Sequence, residues 1–254
     1  MRKKISSILH AIRYKIFAAV FWILFWQLLS MAVNKSILLA SPATTVMAFV
    51  DLVYKAVFWK SIFFSFAKIM TGFSMAVGVG ILFAVLAWKF LLIKELVNPF
   101  MKVVQATPVA SFIILALLWI SSRNLSILTS FLMTVPVIYT NVLHGIRSTD
   151  EKLLEMAKVF RINPLRKIRY LYIPAVAPYF FTASTVGLGL CLKAGIAAEV
   201  IAIPKNSIGE QLYTAKLYLM TGELFAWTFV IIVISVITEK LFTVAFARVL
   251  KAVT

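Results

Sequence analysis

The feature that most constrains this chain is a set of long stretches without a charged residue. Ile16 to Asn34, Ile69 to Trp88, Val103 to Ser122, Asn124 to Ile146, Tyr170 to Leu192 and Leu224 to Thr238 contain no Asp, Glu, Lys or Arg. Crossing the hydrocarbon core of a bilayer takes about 20 apolar residues as an α-helix. Within lipid every backbone N–H and C=O must be bonded internally, so runs of this kind fold as helices. A large soluble core is the competing solution, and composition removes it. Of the 254 residues 62% are hydrophobic and 14% charged, against about 25% charged in soluble domains. The expected fold class is all-α: a polytopic membrane protein with six transmembrane helices, near 16–34, 61–88, 103–122, 124–146, 174–198 and 224–247. The chain 1–254 reads as one domain, with a basic leading segment 1–15 and a polar connection at 147–173.

The net charge of +17 would point to nucleic acid in a soluble protein. Here the positive-inside rule accounts for it, and no nucleic-acid partner is expected. With both termini cytoplasmic, the inner segments hold eighteen Lys and Arg and the outer segments six. A cleaved signal peptide ending at Ser30-Met31-Ala32 is the alternative for the first run. That run is longer than a signal h-region, and Trp22 and Trp26 suit a span and its interface, so an anchor is expected. Between Lys35 and Lys60 an outer turn at Ser41-Pro42 leads to an interfacial amphipathic helix, Thr44 to Phe58.

Small residues recur at helical spacing in two spans. Gly72, Ala76 and Gly80, with Ser74 and Gly78 beside them, form one stripe, and Ala183, Gly187, Cys191 and Gly195 form another. Such stripes let helix backbones approach closely in lipid. Pro108 and Pro136 interrupt spans and free backbone carbonyls. They are candidates for the translocation pathway, or ordinary packing kinks, and both readings stay open. Lys193 and Glu199 lie at the far end of the fifth run, six residues apart and so on different faces of a continuing helix. Lys193 could attract an anionic substrate, or it could snorkel or pair with a neighbouring helix.

Enzyme chemistry has no residues to carry it. There is no Gly-x-x-x-x-Gly-Lys-Ser/Thr phosphate loop, no dinucleotide fingerprint and no Ser/His/Asp set. Cys191 is the single cysteine, and His10 and His144 lie far apart, so neither a disulfide nor a metal site is expected.

The polar segment from Ser148 to Pro174 stands apart. Ser148 and Glu151 read as a capping box, with Asp150 and Glu151 at the positive end of the helix dipole. Leu153, Leu154, Ala157 and Phe160 recur at helical spacing, and Asn163-Pro164 breaks the pattern before Arg166, Lys167 and Arg169. Glu155-Met156-Ala157, then Arg161, then Leu171-Tyr172-Ile173-Pro174 resembles the EAA loop of the membrane subunits of ATP-binding-cassette importers. That pattern is Glu-Ala-Ala, three residues, Gly, nine residues, then Ile-x-Leu-Pro. The spacing from Glu155 to Pro174 fits without a gap; Met156 replaces an Ala, Arg161 stands at the Gly, and Leu171 and Ile173 are aliphatic exchanges. The likeness runs along nearly the whole chain and is nearest to the permeases of nitrate, sulfonate and taurine importers, through GIRSTDEKLLEMAKVF and LGLCLKAGIAAEVI.

The resemblance implies the type I importer permease fold, in a prokaryotic inner membrane, with residues 147–173 as the coupling loop. It implies that Glu155, Met156, Ala157, Phe160, Arg161, Leu171, Ile173 and Pro174 couple the chain to a separate ATPase. The partners implied are two ATPase subunits that bind ATP and Mg, a second permease copy, and an extracytoplasmic solute-binding protein. The chain itself would hold no cofactor, and its solute would be a sulfonate, nitrate or a related small compound. A gradient-driven secondary transporter is the rival. It needs acids within spans, and the six uncharged runs have none.

Overall fold

The structure is a computed structural model. It describes residues 2–35 and 37–253, with side chains for 13–35 and 37–248. The side chains of Arg2, Lys3, Lys4 and Lys251, counted above among the inner Lys and Arg, and that of His10 lie outside the described residues. In chain order the helices are α1 (Arg2–Val33), α2 (Pro42–Val53), α3 (Ala56–Lys89), α4 (Leu91–Ala106), α5 (Val109–Ala116), α6 (Ser122–Arg147), α7 (Glu151–Val159), α8 (Pro164–Lys167), α9 (Ile173–Ala202), α10 (Ile208–Leu217) and α11 (Thr221–Val253), with a π-helical turn at Ile168–Tyr172 between α8 and α9. No strand occurs among the described residues. Five helices or continuous helical runs are long and apolar enough to cross a bilayer; α4 and α5 make a sixth only as a bent pair, at 103°.

That bend changes the third expected span. Pro108 has no N–H to donate and disfavours helical geometry in the residue before it. Thr107 is accordingly extended, at φ −74° and ψ 126°, and α4 stops at Ala106. The segment 89–102, whose charges Lys89, Lys94, Glu95 and Lys102 predict a cytoplasmic loop, is instead mostly α4. The interfacial helix also ends earlier than expected, at Val53, and Tyr54-Lys55 separates it from α3.

The chain divides into two compact units, residues 1–59 with 211–230, and residues 60–210 with 231–254. In the first, aromatic rings do most of the packing. Trp26 donates its indole N–H to the Ala40 carbonyl at 3.0 Å and lies 5.5 Å from the Phe225 ring. Trp227 is buried against Phe58, and Phe49 meets both Phe58 and Phe229 edge-on. Ser41 caps α2, its hydroxyl accepting from the Thr44 N–H.

In the second unit α6 and α9 run alongside each other, and the two small-residue stripes explain how. Ala183, Gly187, Cys191 and Gly195 are all buried. Ser130 and Thr134 of α6 donate hydroxyls to the Cys191 and Gly187 carbonyls, at 3.0 and 3.4 Å. Such bonds require backbones close enough for a side chain to reach across, which small residues permit. On α3, Gly72 faces Ile127 and Ser130, and Gly80 faces Ile138. Ser74 and Gly78 are exposed instead, so the stripe is Gly72, Ala76 and Gly80 alone.

Candidate functional site

Between α6 and α9 the chain leaves the apolar bundle and makes α7. Its cap differs from the expected box. Ser148 closes α6, with its N–H bonded to the His144 carbonyl and its hydroxyl to that of Gly145, both at 2.9 Å. Asp150, with ψ 121°, is the N-cap of α7, and its carboxylate accepts the Lys152 N–H at 2.9 Å. The reason is spacing. α6 continues through Arg147, so Ser148 is already committed to its end, and the Thr149 hydroxyl donates back to the Ile146 carbonyl at 3.0 Å, which leaves Asp150 to cap. Glu151 then sits in the first turn, as the dipole favours.

Along α7 only Ala157 is buried; Glu155, Met156, Val159 and Phe160 are exposed. The expected apolar stripe is therefore split: Ala157 packs inward and Leu154 is half-buried, while Leu153 and Phe160 face outward beside Val159, with Val159 and Phe160 77% and 74% exposed. The helix ends in a Schellman turn. The Ile162 N–H bonds the Ala157 carbonyl at 2.9 Å and the Arg161 N–H bonds that of Lys158 at 3.1 Å. Arg161 supplies the left-handed residue this turn needs, at φ +50°. An arginine occupies a conformation that glycine adopts without strain.

Asn163 caps the next helix, accepting the Leu165 N–H at 2.9 Å, and Pro164 occupies its first turn. The backbone then continues without a break from Pro164 to Ala202, through the π turn. Pro174 cannot donate to the residue 170 carbonyl and its ring would crowd it. Widening the helix over Ile168–Tyr172, where the Ile173 N–H reaches back to Ile168, absorbs the mismatch. Leu171 and Pro174 are half-buried there, and Ile173 is exposed.

The four pathway candidates are not brought together. Pro108 is exposed at the α4–α5 bend, and Pro136 is buried in the middle of α6. Lys193 is exposed on α9 and Glu199 is buried, on different faces as their spacing requires. Glu199 had been placed beyond the end of a span; it lies inside the unbroken α9, three residues from its end.

Glu199 is the centre of a network that the sequence reading missed. Its carboxylate accepts the Ser65 hydroxyl of α3 at 2.6 Å and the Gly209 N–H at 3.4 Å, and Ser65 Oγ accepts the Ile208 N–H at 2.9 Å. Its other oxygen, Oε1, and the buried Ser126 Oγ of α6 have no hydrogen-bond partner among the described residues. A carboxylate at the C-terminal end of α9 meets the negative end of that dipole, and the N-terminus of α10 offsets this. Gly209 fits because a Cβ there would run into the Glu199 backbone. The start of α10 is held by Ser207, whose hydroxyl accepts the Glu210 N–H at 2.9 Å, while Glu210 accepts the Asn206 N–H at 2.6 Å. That Ser-x-x-Glu pattern was the available signal for this helix.

Comparison with known proteins follows the same lines. The family model described as binding-protein-dependent transport system inner membrane component matches residues 76–252. The protein assigned as the aliphatic sulfonates transport permease SsuC of Bacillus subtilis (strain 168) is 23% identical over 228 residues, 89% of this chain and 82% of its own length. The bicarbonate transport system permease protein CmpB of Synechocystis sp. is 26% identical over 211 residues, 79% and 75% of the two chains. Among solved structures, a chain of an amino acid ABC transporter crystallised with histidines superposes with a TM-score of 0.63, at 16% identity, over 80% of this chain and 98% of that one. A chain of the inward-facing MetNI methionine ABC transporter gives 0.54 at 18% identity, over 77% and 94%.

Proposed function

The chain belongs to the family of binding-protein-dependent transport system inner membrane components, the permease subunits of ATP-driven importers, and from that premise we propose how its parts divide the work. It is a multi-pass inner-membrane protein that forms a translocation pathway. In this reading the whole chain acts as one permease domain and α7 is the coupling helix, docking on a separate ATPase subunit that binds ATP and Mg. Glu155, Met156, Ala157, Phe160 and Arg161 form and shape the docking element, and Leu171, Ile173 and Pro174 anchor its return into the bundle. Both termini face the cytoplasm, two copies of the chain flank the pathway above two ATPases, and a solute-binding protein delivers substrate from outside. The relatives named for sulfonate, bicarbonate and nitrate transport support a small oxyanion as the solute.

The observation that carries this reading is the outward-facing apolar surface of α7. Met156, Val159 and Phe160 are exposed beside the charges of Glu155, Lys158 and Arg161. Exposed apolar side chains rimmed by charge mark a surface that another protein covers. Any conformational drive must then come from ATP and the loaded binding protein favouring different states, since a ligand shifts an equilibrium only through differential affinity.

The test is co-purification of the detergent-solubilised chain with a candidate ATPase, comparing the unmodified chain with Glu155→Ala and Ala157→Glu. A stable complex that both variants weaken, with loss of substrate-stimulated ATP hydrolysis, supports the docking role. Failure of the unmodified chain to bind any ATPase overturns it.

A further inference from the structure

On the side of the bilayer that holds α7, the second unit leaves an open groove of about 600 Å³ between α3, α6, α9 and α11. Its walls are almost entirely apolar, and one charged side chain, Lys167, enters the lining. Among the described residues no carboxylate lies within ion-pair distance of Lys167. At the same end the rings of Trp88 and Tyr172, both in the lining, meet edge-on at 5.3 Å. Trp and Tyr gather at membrane–water interfaces, and Lys extends its ammonium to the same level. The mouth of the groove therefore lies at the headgroups. From Trp88 to Ile81 the α3 wall runs about 10 Å, and from Lys167 to Phe180 the opposite wall runs about 20 Å, at 1.5 Å per helical residue. The groove passes from the headgroup layer into the hydrocarbon.

An apolar slot with a single unpaired cation at its interfacial mouth suits an amphiphile with a negative head. We propose that this groove binds one anionic phospholipid of the surrounding bilayer, an acyl chain against Ile81, Val85 and Phe180 and the phosphate at Lys167. An acyl chain gains little by moving from bulk lipid to an apolar wall, so selectivity resides in the head. Arg166 and Arg169 flank Lys167 in the chain but are exposed and absent from the groove lining, so the selectivity of this site rests on Lys167. This site is independent of the docking role of α7 and requires only that the chain be embedded in lipid.

The test uses the full chain reconstituted in phosphatidylcholine vesicles carrying brominated phosphatidylglycerol or brominated phosphatidylcholine, whose bromines quench tryptophan on contact. The fluorescence belonging to this site is the part lost in Trp88→Phe. It should reach half-quenching at about fivefold less brominated phosphatidylglycerol than phosphatidylcholine, the preference one basic residue confers near a membrane surface. Lys167→Gln should bring the two curves together. Equal quenching by both lipids in the unmodified chain, or a preference that survives Lys167→Gln, overturns the proposal. So does an absence of Trp88-dependent quenching by either lipid, the result expected if a second copy of the chain covers the groove.

Discussion

Ser65 of α3 donates a 2.6 Å hydrogen bond to the Glu199 carboxylate in the last turn of α9, joining residues 134 apart in the chain. Both side chains are buried, and the same hydroxyl accepts the Ile208 N–H at the start of α10. One serine thus ties three helices together at one end of the bundle.

Removing either partner leaves a buried polar group unsatisfied, at a cost of about 1–3 kcal/mol. Ser65→Ala and Glu199→Leu should each lower the thermal midpoint of the detergent-solubilised chain. Glu199→Gln, which still offers an acceptor oxygen, should lower it less. Equal midpoints for Gln and Leu would mean that the hydrogen bonds contribute nothing measurable.

At the end of α7 the outcome runs the other way. Arg161 holds φ +50°, a conformation costing about 1–2 kcal/mol for a residue with a Cβ. Arg161→Gly should stabilise the turn, seen as slower amide exchange at Ile162, whose N–H closes the Schellman bond. A β-branched substitution such as Arg161→Val should speed that exchange.

Two glycines of α3 provide a matched pair. A Cβ on Gly72 would meet the Ile127 carbonyl and the Ser130 Cβ, whereas one on Gly78 would meet nothing within 4 Å. Gly72→Ala should destabilise by about 1–3 kcal/mol through overpacking. Gly78→Ala should be neutral or stabilise by up to about 1 kcal/mol, the helix-propensity difference. Midpoints of the two variants measured side by side decide this.

Phe160→Ala and Val159→Ser alter exposed side chains, for which stability changes stay within about 0.5 kcal/mol. If α7 docks on an ATPase, both should leave the thermal midpoint unchanged while weakening co-purification. A fall in midpoint equal to the loss of binding would show that these side chains serve the fold and not a partner.

Much of the membrane architecture was legible because lipid imposes one strong rule on backbone and charge. The expected runs at 124–146 and 174–198 fall within α6 and α9, and the run at 16–34 overruns the end of α1 by one residue. The third run shows where that rule stops: hydropathy counts side chains, but Pro108 acts on the backbone, and the run bends. The polar segment after α6 was legible as a short helix broken at Asn163-Pro164, and its capping details were not. Ser148 and Asp150 are both competent caps, and the choice depended on where α6 ended. Glu199 was visible as an acid near a span, but its partners Ser65 and Gly209 sit in α3 and at the start of α10. Neither carries a local signal of that pairing.

The π turn at Ile168–Tyr172 has a consequence for α8 and α9 as a rod. An extra residue in one turn offsets everything beyond it by about 100°, since each residue of an α-helix turns the chain through that angle. The face of α9 carrying Ala183, Gly187 and Cys191 is therefore out of phase with the face of α8 that would otherwise continue it. A single continuous helix can present one side to its neighbour in the bilayer and a rotated side to whatever lies beyond. Deleting one residue from this turn would put the two ends back in step and re-aim the basic end while leaving the length of the span almost unchanged.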